Sequence, residues 1–358
     1  SMMQDVGIII GHFEPLHLGH VRTILHASGQ VKDLYIFITA HPAPNPNFSI
    51  DLKDKARWMT MAFADLPFVH IEILPDLVSP SYEDNYQDLS VEKVNAILAD
   101  LQQRYPKLSA SSDEAETVPP VVFMDETHPF ADYDLHLPVV TTPRQHGFDS
   151  RKIHNNPALY WSAIHPQARG DYTKTVALVG GESSGKTTLL HKLANYYGAS
   201  YGLEMGRLFV QTDLGGTELG MQYDDYPLMA TDHEQAIRAA KRFAPAPITL
   251  VDTDFVTTQA FCEEYEGRTH PFLTACIDEF RLDYTLMLAN NTPWVADGMR
   301  SLGSESQRER FENRLKQIFA RHHIAPLFID SPNYHQRFLD AIALIDAHVF
   351  HHYQDIEA

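Results

Sequence analysis

The sequence predicts an α/β protein of two tandem domains, each a mainly parallel sheet with helices on both faces. Three observations predict it. Short apolar runs alternate with helical stretches along the chain. The alternation breaks at residues 166–172 and then begins again. Each series opens with a strand that runs directly into a glycine-bearing turn, at Gly11 in the first and at Gly180 and Gly181 in the second. With 358 residues the chain is longer than a typical single domain. The expected boundaries are 1–168 and 169–358.

In the first half, residues 6–10 form an apolar run too short for a helix and read as a buried strand. A helix is expected over 19–28, a strand over 34–38, and a proline-rich loop over 41–46. Residues 51–64 read as a helix, 71–74 as a strand, 89–104 as a long helix, 109–116 as a polar loop and 121–124 as another strand. In the second half strands are expected at 175–179, 199–203, 248–251, 284–288 and 327–329. Helical stretches lie between them, the longest at 305–322. There is no repeat of solenoid period and no low-complexity tract.

Charge and composition narrow the partners. With 28 Lys and Arg against 47 Asp and Glu, the net charge of −19 argues against a nucleic-acid backbone as the main partner. No apolar run is long enough for a membrane helix, and no basic segment followed by an apolar one marks a secretory leader. Cys262 and Cys276 form no CxxC and read as reduced thiols, which points to the cytoplasm. The composition leaves room for a homo-oligomer.

Gly180, Gly181, Glu182, Ser183, Ser184, Gly185, Lys186 and Thr187 fit G-x-x-x-x-G-K-[ST], between a strand and a helical segment that starts at Thr188. The glycines let main-chain N–H groups converge on phosphate oxygens, and the helix N-terminus adds partial positive charge. Lys186 would reach the β- and γ-phosphates of ATP, and the Thr187 hydroxyl would bind Mg²⁺. Asp252 ends an apolar strand, where its carboxylate is placed to hold the metal or its waters, and Asp254 follows it. An aspartate here also suits a helix N-cap. Glu204, at the end of an expected strand, is a candidate base for an alcohol acceptor, with Arg207 three residues on. Arg300 lies in a Gly/Ser-rich stretch suited to a mobile lid, whereas Arg308 and Arg310 read as a solvated helix face. The pair His322 and His323 reads as a solvated helix end.

The first half carries Gly11, His12, Phe13, Pro15, His17, Gly19 and His20 in the pattern G-x-F-x-P-x-H-x-G-H. This puts His17 and His20 at one helix N-terminus, where anions are favoured. Imidazoles there can donate hydrogen bonds to ATP phosphates as charge develops. Zinc is the rival reading, but no cluster with ligand spacing completes a site.

The start of the chain resembles the nucleotidylyltransferase superfamily. The second half resembles the ribosylnicotinamide kinase domain of the bacterial NadR family. That likeness lies in 180–187, 204–207, 222–227, 252–255, 258–262, 265–267, 270–273 and 297–304, and in the first half it includes Arg57, Trp58 and 79–86. The resemblance implies a Rossmann-like nucleotidylyltransferase domain followed by a P-loop kinase domain. Nicotinamide riboside would be phosphorylated to nicotinamide mononucleotide (NMN), and NMN adenylylated to NAD. It also implies stacking of Tyr82 or Tyr86 on the cationic nicotinamide ring, and a riboside site lined by Tyr223, Asp224 and Tyr226.

Three departures from the family pattern stand out. The helix-turn-helix region found in some members, and its DNA-binding role, is not expected here. Where the adenylyltransferases carry I-S-x-T-x-I-R, this chain has Phe148, Asp149, Ser150, Arg151, Lys152, Ile153 and His154. Asp149 thus replaces a serine that faces ATP, and His154 replaces a phosphate-binding arginine. His12 stands where Lys or Arg is usual, and neutralises phosphate less than they do. Arg144, Arg151 and Lys152 are the compensating cations. The alternative readings are a kinase whose first domain is structural or only senses nucleotide, and a kinase for another nucleoside.

Overall fold

The computed structural model describes residues 4–45, 50–78, 90–109, 118–128, 131, 134–181, 184–203, 220–291 and 305–350. The chain divides into two compact units, Ser1–Asp171 and Tyr172–Ile356.

The first unit holds β1 (Gln4–Gly11), α1 (Leu18–Ser28), β2 (Val31–Ala40), α2 (Leu52–Ala62), β3 (Val69–Val78), α3 (Val91–Arg104), β4 (Val121–Asp125), β5 (Val139–Thr142) and α4 (Ser150–Asn155). Helix α5 (Pro166–Tyr172) follows. The five strands are parallel in the order β3-β2-β1-β4-β5. Strand order reverses at β1, since β2 lies on one side of it and β4 on the other. A crevice at the carboxyl ends of these strands is where open α/β sheets bind ligands. Helices α1 and α2 start where their caps dictate: His17 and Asp51 each accept a main-chain N–H from three residues on.

The second unit holds β6 (Lys174–Val179), α6 (Lys186–Tyr197), β7 (Tyr201–Gly202), α7 (Tyr226–Lys241), β8 (Ile248–Asp252), α8 (Phe255–Glu266), α9 (Pro271–Glu279), β9 (Tyr284–Leu288), α10 (Glu305–Arg321), β10 (Leu327–Ile329) and α11 (Tyr334–Ile345). Its strands are also parallel, in the order β10-β9-β6-β8-β7. The period-2 rule divides each strand between two cores. Val176, Leu178 and Leu250 pack with Leu190 and Leu193 of α6 and Ala341 of α11. Ala177, Val179 and Val251 pack on the other face with Phe255 of α8 and Leu315 of α10. Strands covered on both faces are continuously apolar, and β8 is buried at every position.

The expected strand–helix alternation is present, with residues 166–172, the expected break, forming helix α5, and with two differences among the strands. Strand β5, Val139–Thr142, is not among the expected strands; it has only four residues, half of them threonine. Strand β7 is two residues long instead of the five expected. It lies at the sheet edge, where α7 leans on it: a Cβ at Gly202 would sit 3.1 Å from the Ile237 Cα.

Close packing at β1 yields a test. A Cβ on Gly7 would lie 2.5 Å from Phe123 Cε2 and 3.1 Å from Val31 Cγ1. Gly7→Ala is expected to destabilise the protein by about 1–3 kcal/mol through overpacking, measured by denaturant unfolding.

Candidate active sites

In the first unit a cavity of about 440 Å³ opens at the ends of β1 and β4. Gly11, His12, Phe13, His17, His20, Arg144, Ser150 and Arg151, candidates from the sequence, all line it. The loop leaving β1 is held by a buried ion pair: Lys55 Nζ lies 3.0 Å from Glu14 Oε1 and donates to the Thr39 carbonyl at 3.0 Å. Burial pulls the Lys55 pKa down and the Glu14 charge opposes it. Removing either partner of such a pair strands a buried charge, a loss of about 3–5 kcal/mol. Phe13 then turns with φ +46°, in the left-handed region that non-glycine residues enter under constraint.

His17 and His20 cap α1 reciprocally. The Nδ1 of each accepts the main-chain N–H of the other at 3.2 Å, and the rings stack with centroids 3.5 Å apart. Because each Nδ1 is an acceptor, each neutral ring carries its proton on Nε2. His17 Nε2 therefore donates to Ser150 Oγ at 2.7 Å. Gly19 is required for this packing, since a Cβ there would be 2.8 Å from the Phe148 Cβ and 2.9 Å from the His17 ring. Burial, with His12 adding to it, lowers the His17 pKa from 6.5 to about 3. Burial and the neighbouring His17 and His12 likewise hold His20 well below its ordinary value. These are neutral hydrogen-bond donors at pH 7, not cations.

The altered segment is only partly as expected. Asp149 lines the cavity, where its charge opposes a phosphate, and its Oδ1 also accepts the Lys152 N–H at 3.1 Å as the N-cap of α4. Lys152 is on the exposed face of α4 and is not part of the cavity lining. His154 is 3% exposed, with Nδ1 2.9 Å from the Glu14 carbonyl, Nε2 2.9 Å from the Ala43 carbonyl and its ring stacked on His41 at 3.9 Å. Burial, then His41, lowers its pKa. It therefore links α4 to the loops after β1 and β2 and is not a substitute phosphate ligand. No local motif marks Lys55, although it sits three and four residues before buried Trp58 and Met59 on one helical face.

In the second unit the phosphate loop joins β6 to α6. Gly180 lets main chain and side chains close in: a Cβ there would be 2.9 Å from Ser184 Oγ and 3.3 Å from the Leu288 carbonyl. Gly185, at φ +78°, is the N-cap of α6. Lys186 Nζ lies 3.2 Å from Asp252 Oδ1 and also donates to Thr253 Oγ1. Thr187 and Thr188 are exposed in the first turn of α6. Asp254 is buried as the N-cap of α8, its Oδ1 accepting from Thr257 N at 2.8 Å and Thr257 Oγ1 at 2.7 Å. Burial raises its pKa, against the hydrogen bonds from Thr257.

Tyr223 stacks on His270 at 4.2 Å and has the Arg268 guanidinium 3.5 Å from its ring centre, with Asp224 exposed beside it. Tyr226 departs from its expected role: it is fully buried in the core with Phe255 and Leu273. Arg310 is not merely solvated, since its Nε donates to Glu264 at 3.1 Å beside Arg314. His322 is likewise buried, with Nδ1 2.8 Å from Asp278 Oδ1. Tyr82, Tyr86, Glu182, Ser183, Glu204, Arg207 and Arg300 lie outside the described residues.

One unit with an H-x-G-H cradle and one with a P-loop define a two-site nucleotide-handling enzyme. The comparisons agree. A family model described as an AAA domain matches residues 175–337. The Trifunctional NAD biosynthesis/regulator protein NadR of Escherichia coli is 35% identical over 96% of this chain and 83% of its own length. The protein of the same name from Salmonella typhimurium matches to the same extent. A solved NadR protein in complex with NR has a TM-score of 0.75 at 20% identity, covering 96% of both chains. Another, in complex with NAD and AMP-PNP, has a TM-score of 0.71 at 19% identity, covering 97% of both. This chain belongs to the NadR family.

The His17 environment sets a pH dependence. Between pH 6.5 and 3 the unfolded chain binds a proton at this residue and the folded chain does not, so stability falls as the pH drops below 6.5. The expected loss is about 1 kcal/mol per pH unit. In His17→Asn, which keeps an N-cap acceptor, the unfolding midpoint should fall less steeply between pH 7 and 5. Parallel slopes would count against this account.

Proposed function

We propose that the chain makes NAD from nicotinamide riboside in two ATP-dependent steps, with the kinase in the second unit and adenylyl transfer in the first. The observation that carries the reading is that one chain holds both sites, each at the carboxyl end of its own parallel sheet. Family membership adds to it: the relatives are named for NAD biosynthesis, and solved members hold NR, NAD and AMP-PNP. Two buried thiols, with pKa values pushed up to about 11 by burial, suit a reducing cytoplasm. No helix among the described residues is long and apolar enough to cross a membrane.

In the kinase step the riboside 5′-hydroxyl attacks the γ-phosphorus of ATP, its proton passes to a carboxylate, and ADP leaves. The main-chain N–H groups of the loop and the α6 N-terminus hold the phosphates, and Lys186 balances charge on the transferred group. The oxygen donors Thr187 and Asp252 fit a hard divalent cation such as Mg²⁺. When bound, that ion neutralises phosphate charge. Of the two acids at the end of β8 and just past it, Asp252 faces Lys186, while an oxygen of Asp254 is engaged in capping α8. Glu204 remains a candidate base. Tyr223, whose ring stacks on His270, and the exposed Asp224 are our assignment for the riboside side of the site.

In the adenylyl step a phosphate oxygen of NMN attacks the α-phosphorus of a second ATP and pyrophosphate leaves. No covalent nucleophile is needed. The Nε2–H of His20 donates to a phosphate oxygen, that of His17 does so in exchange for its bond to Ser150 Oγ, and Arg144 and Arg151 supply the positive charge that His154 does not.

Product chromatography with Mg-ATP tests both halves. Nicotinamide riboside and NMN, in separate tubes, should each yield NAD. Riboside that stops at NMN, with added NMN unchanged, would leave a kinase only. Lys186→Ala should abolish NMN formation while NMN is still converted to NAD. Asp252→Asn should lower the kinase rate by about 100-fold or more. Asp254→Asn, an equally good cap, should stay within about tenfold of wild type. A deeper loss from Asp254→Asn would make that carboxylate the hydroxyl's partner.

A further inference from the structure

Arg337, in the first turn of α11, is 1% exposed. Its guanidinium reaches three separate pieces of backbone. Nη1 donates to the Ser184 carbonyl in the phosphate loop at 2.8 Å. Nη2 donates at 2.8 Å to the Ala289 carbonyl, just past β9, and at 2.5 Å to Asn291 Oδ1. Nε donates to the Ser331 carbonyl, just past β10, at 2.7 Å. Three residues earlier on the same helical face, Tyr334 lies against the next loop residue: a Cβ at Gly185 would be 2.6 Å from the Tyr334 ring.

We propose that Arg337 is the positioning residue of the phosphate loop. This rests on the kinase reading of that loop. A peptide is planar and trans, so its carbonyl and the following N–H point to opposite sides. Fixing the Ser184 carbonyl on Arg337 therefore turns the Gly185 N–H the other way, toward the side where phosphate is received. Gly185 keeps this orientation because its φ of +78° is open to glycine and closed to most other residues. The other three bonds brace the guanidinium against the ends of β9 and β10, so the loop is registered to the sheet. All four acceptors are neutral, and the Asp330 carboxylate is the acidic group that bears on the guanidinium. Lysine cannot reproduce this fork, because it offers one compact ammonium where arginine spreads five donors over a rigid plane.

The test uses the full chain as wild type, Arg337→Lys and Arg337→Ala. ATP binding is titrated without riboside, kinase kcat and KM for ATP are measured, and NMN adenylylation is followed as an internal control. For Arg337→Ala the expected result is a kinase kcat/KM for ATP reduced by about 100-fold, the cost of misplacing a phosphate-binding group by about 1 Å. ATP binding should weaken with it, and adenylylation should be retained. Arg337→Lys should recover only part of the loss, and it carries the test alone if the alanine variant does not fold. An Arg337→Lys protein with wild-type kcat and KM overturns the inference. So does a loss of kinase and adenylylation in equal measure, which would mark a role in general stability. Wild-type protein that does not phosphorylate the riboside would overturn the kinase reading itself.

Discussion

The turn after the first strand of each unit has to bring main-chain N–H groups within reach of an anion, and no side chain can stand in the way. Gly11, Gly19, Gly180 and Gly185 meet that demand. At Gly19 and Gly185 a methyl group would collide with a neighbouring ring. Parallel strands make the arrangement general. Their carboxyl ends all lie on one edge of the sheet, helix N-termini follow them, and the partial positive charge of those helices adds up where the ligand enters. The rest of each site is support for that turn.

The two units solve the support problem with different chemistry. In the first, the loop is underpinned by the buried Lys55–Glu14 pair and by His154, whose ring nitrogens both face main-chain carbonyls. The groups presented to the cavity by the cap are neutral imidazoles, held neutral by burial. In the second, Lys186 faces Asp252 and a buried guanidinium lies behind the loop. A chain of net charge −19 thus sets individual cations, Lys186 and Arg337, at the loop of the second unit. Neutral donors still gain strength in a water-poor cavity, because low dielectric amplifies a hydrogen bond.

The fold was largely legible from alternation alone, since parallel strands covered on both faces must be short continuous apolar runs. The P-loop and the H-x-G-H turn were legible because each is local: spacing, flanking strand and following helix all lie within about twenty residues. The short strand β5 and the two-residue β7 were harder to read. Their pairing is decided by neighbours on the sheet, and neither has a strong pattern of its own. Tyr226 illustrates the limit for site residues. Beside Tyr223 and Asp224 it looks like a third contact, yet one helical step turns it into the core.

The sequence by itself determined the two-domain α/β class, the two glycine-bearing turns after β1 and β6 and the candidacy of His17, His20, Lys186 and Asp252, because these follow from residue type and short-range spacing. The tertiary structure decided the roles of Lys55, His154, Tyr226 and Arg337. Arg337 is 153 residues from the carbonyl it pins, and His154 is 140 from one of its own. A buried polar group must be satisfied by whatever the fold brings within about 3 Å, and that partner is chosen by the packing of distant elements, which no local pattern records.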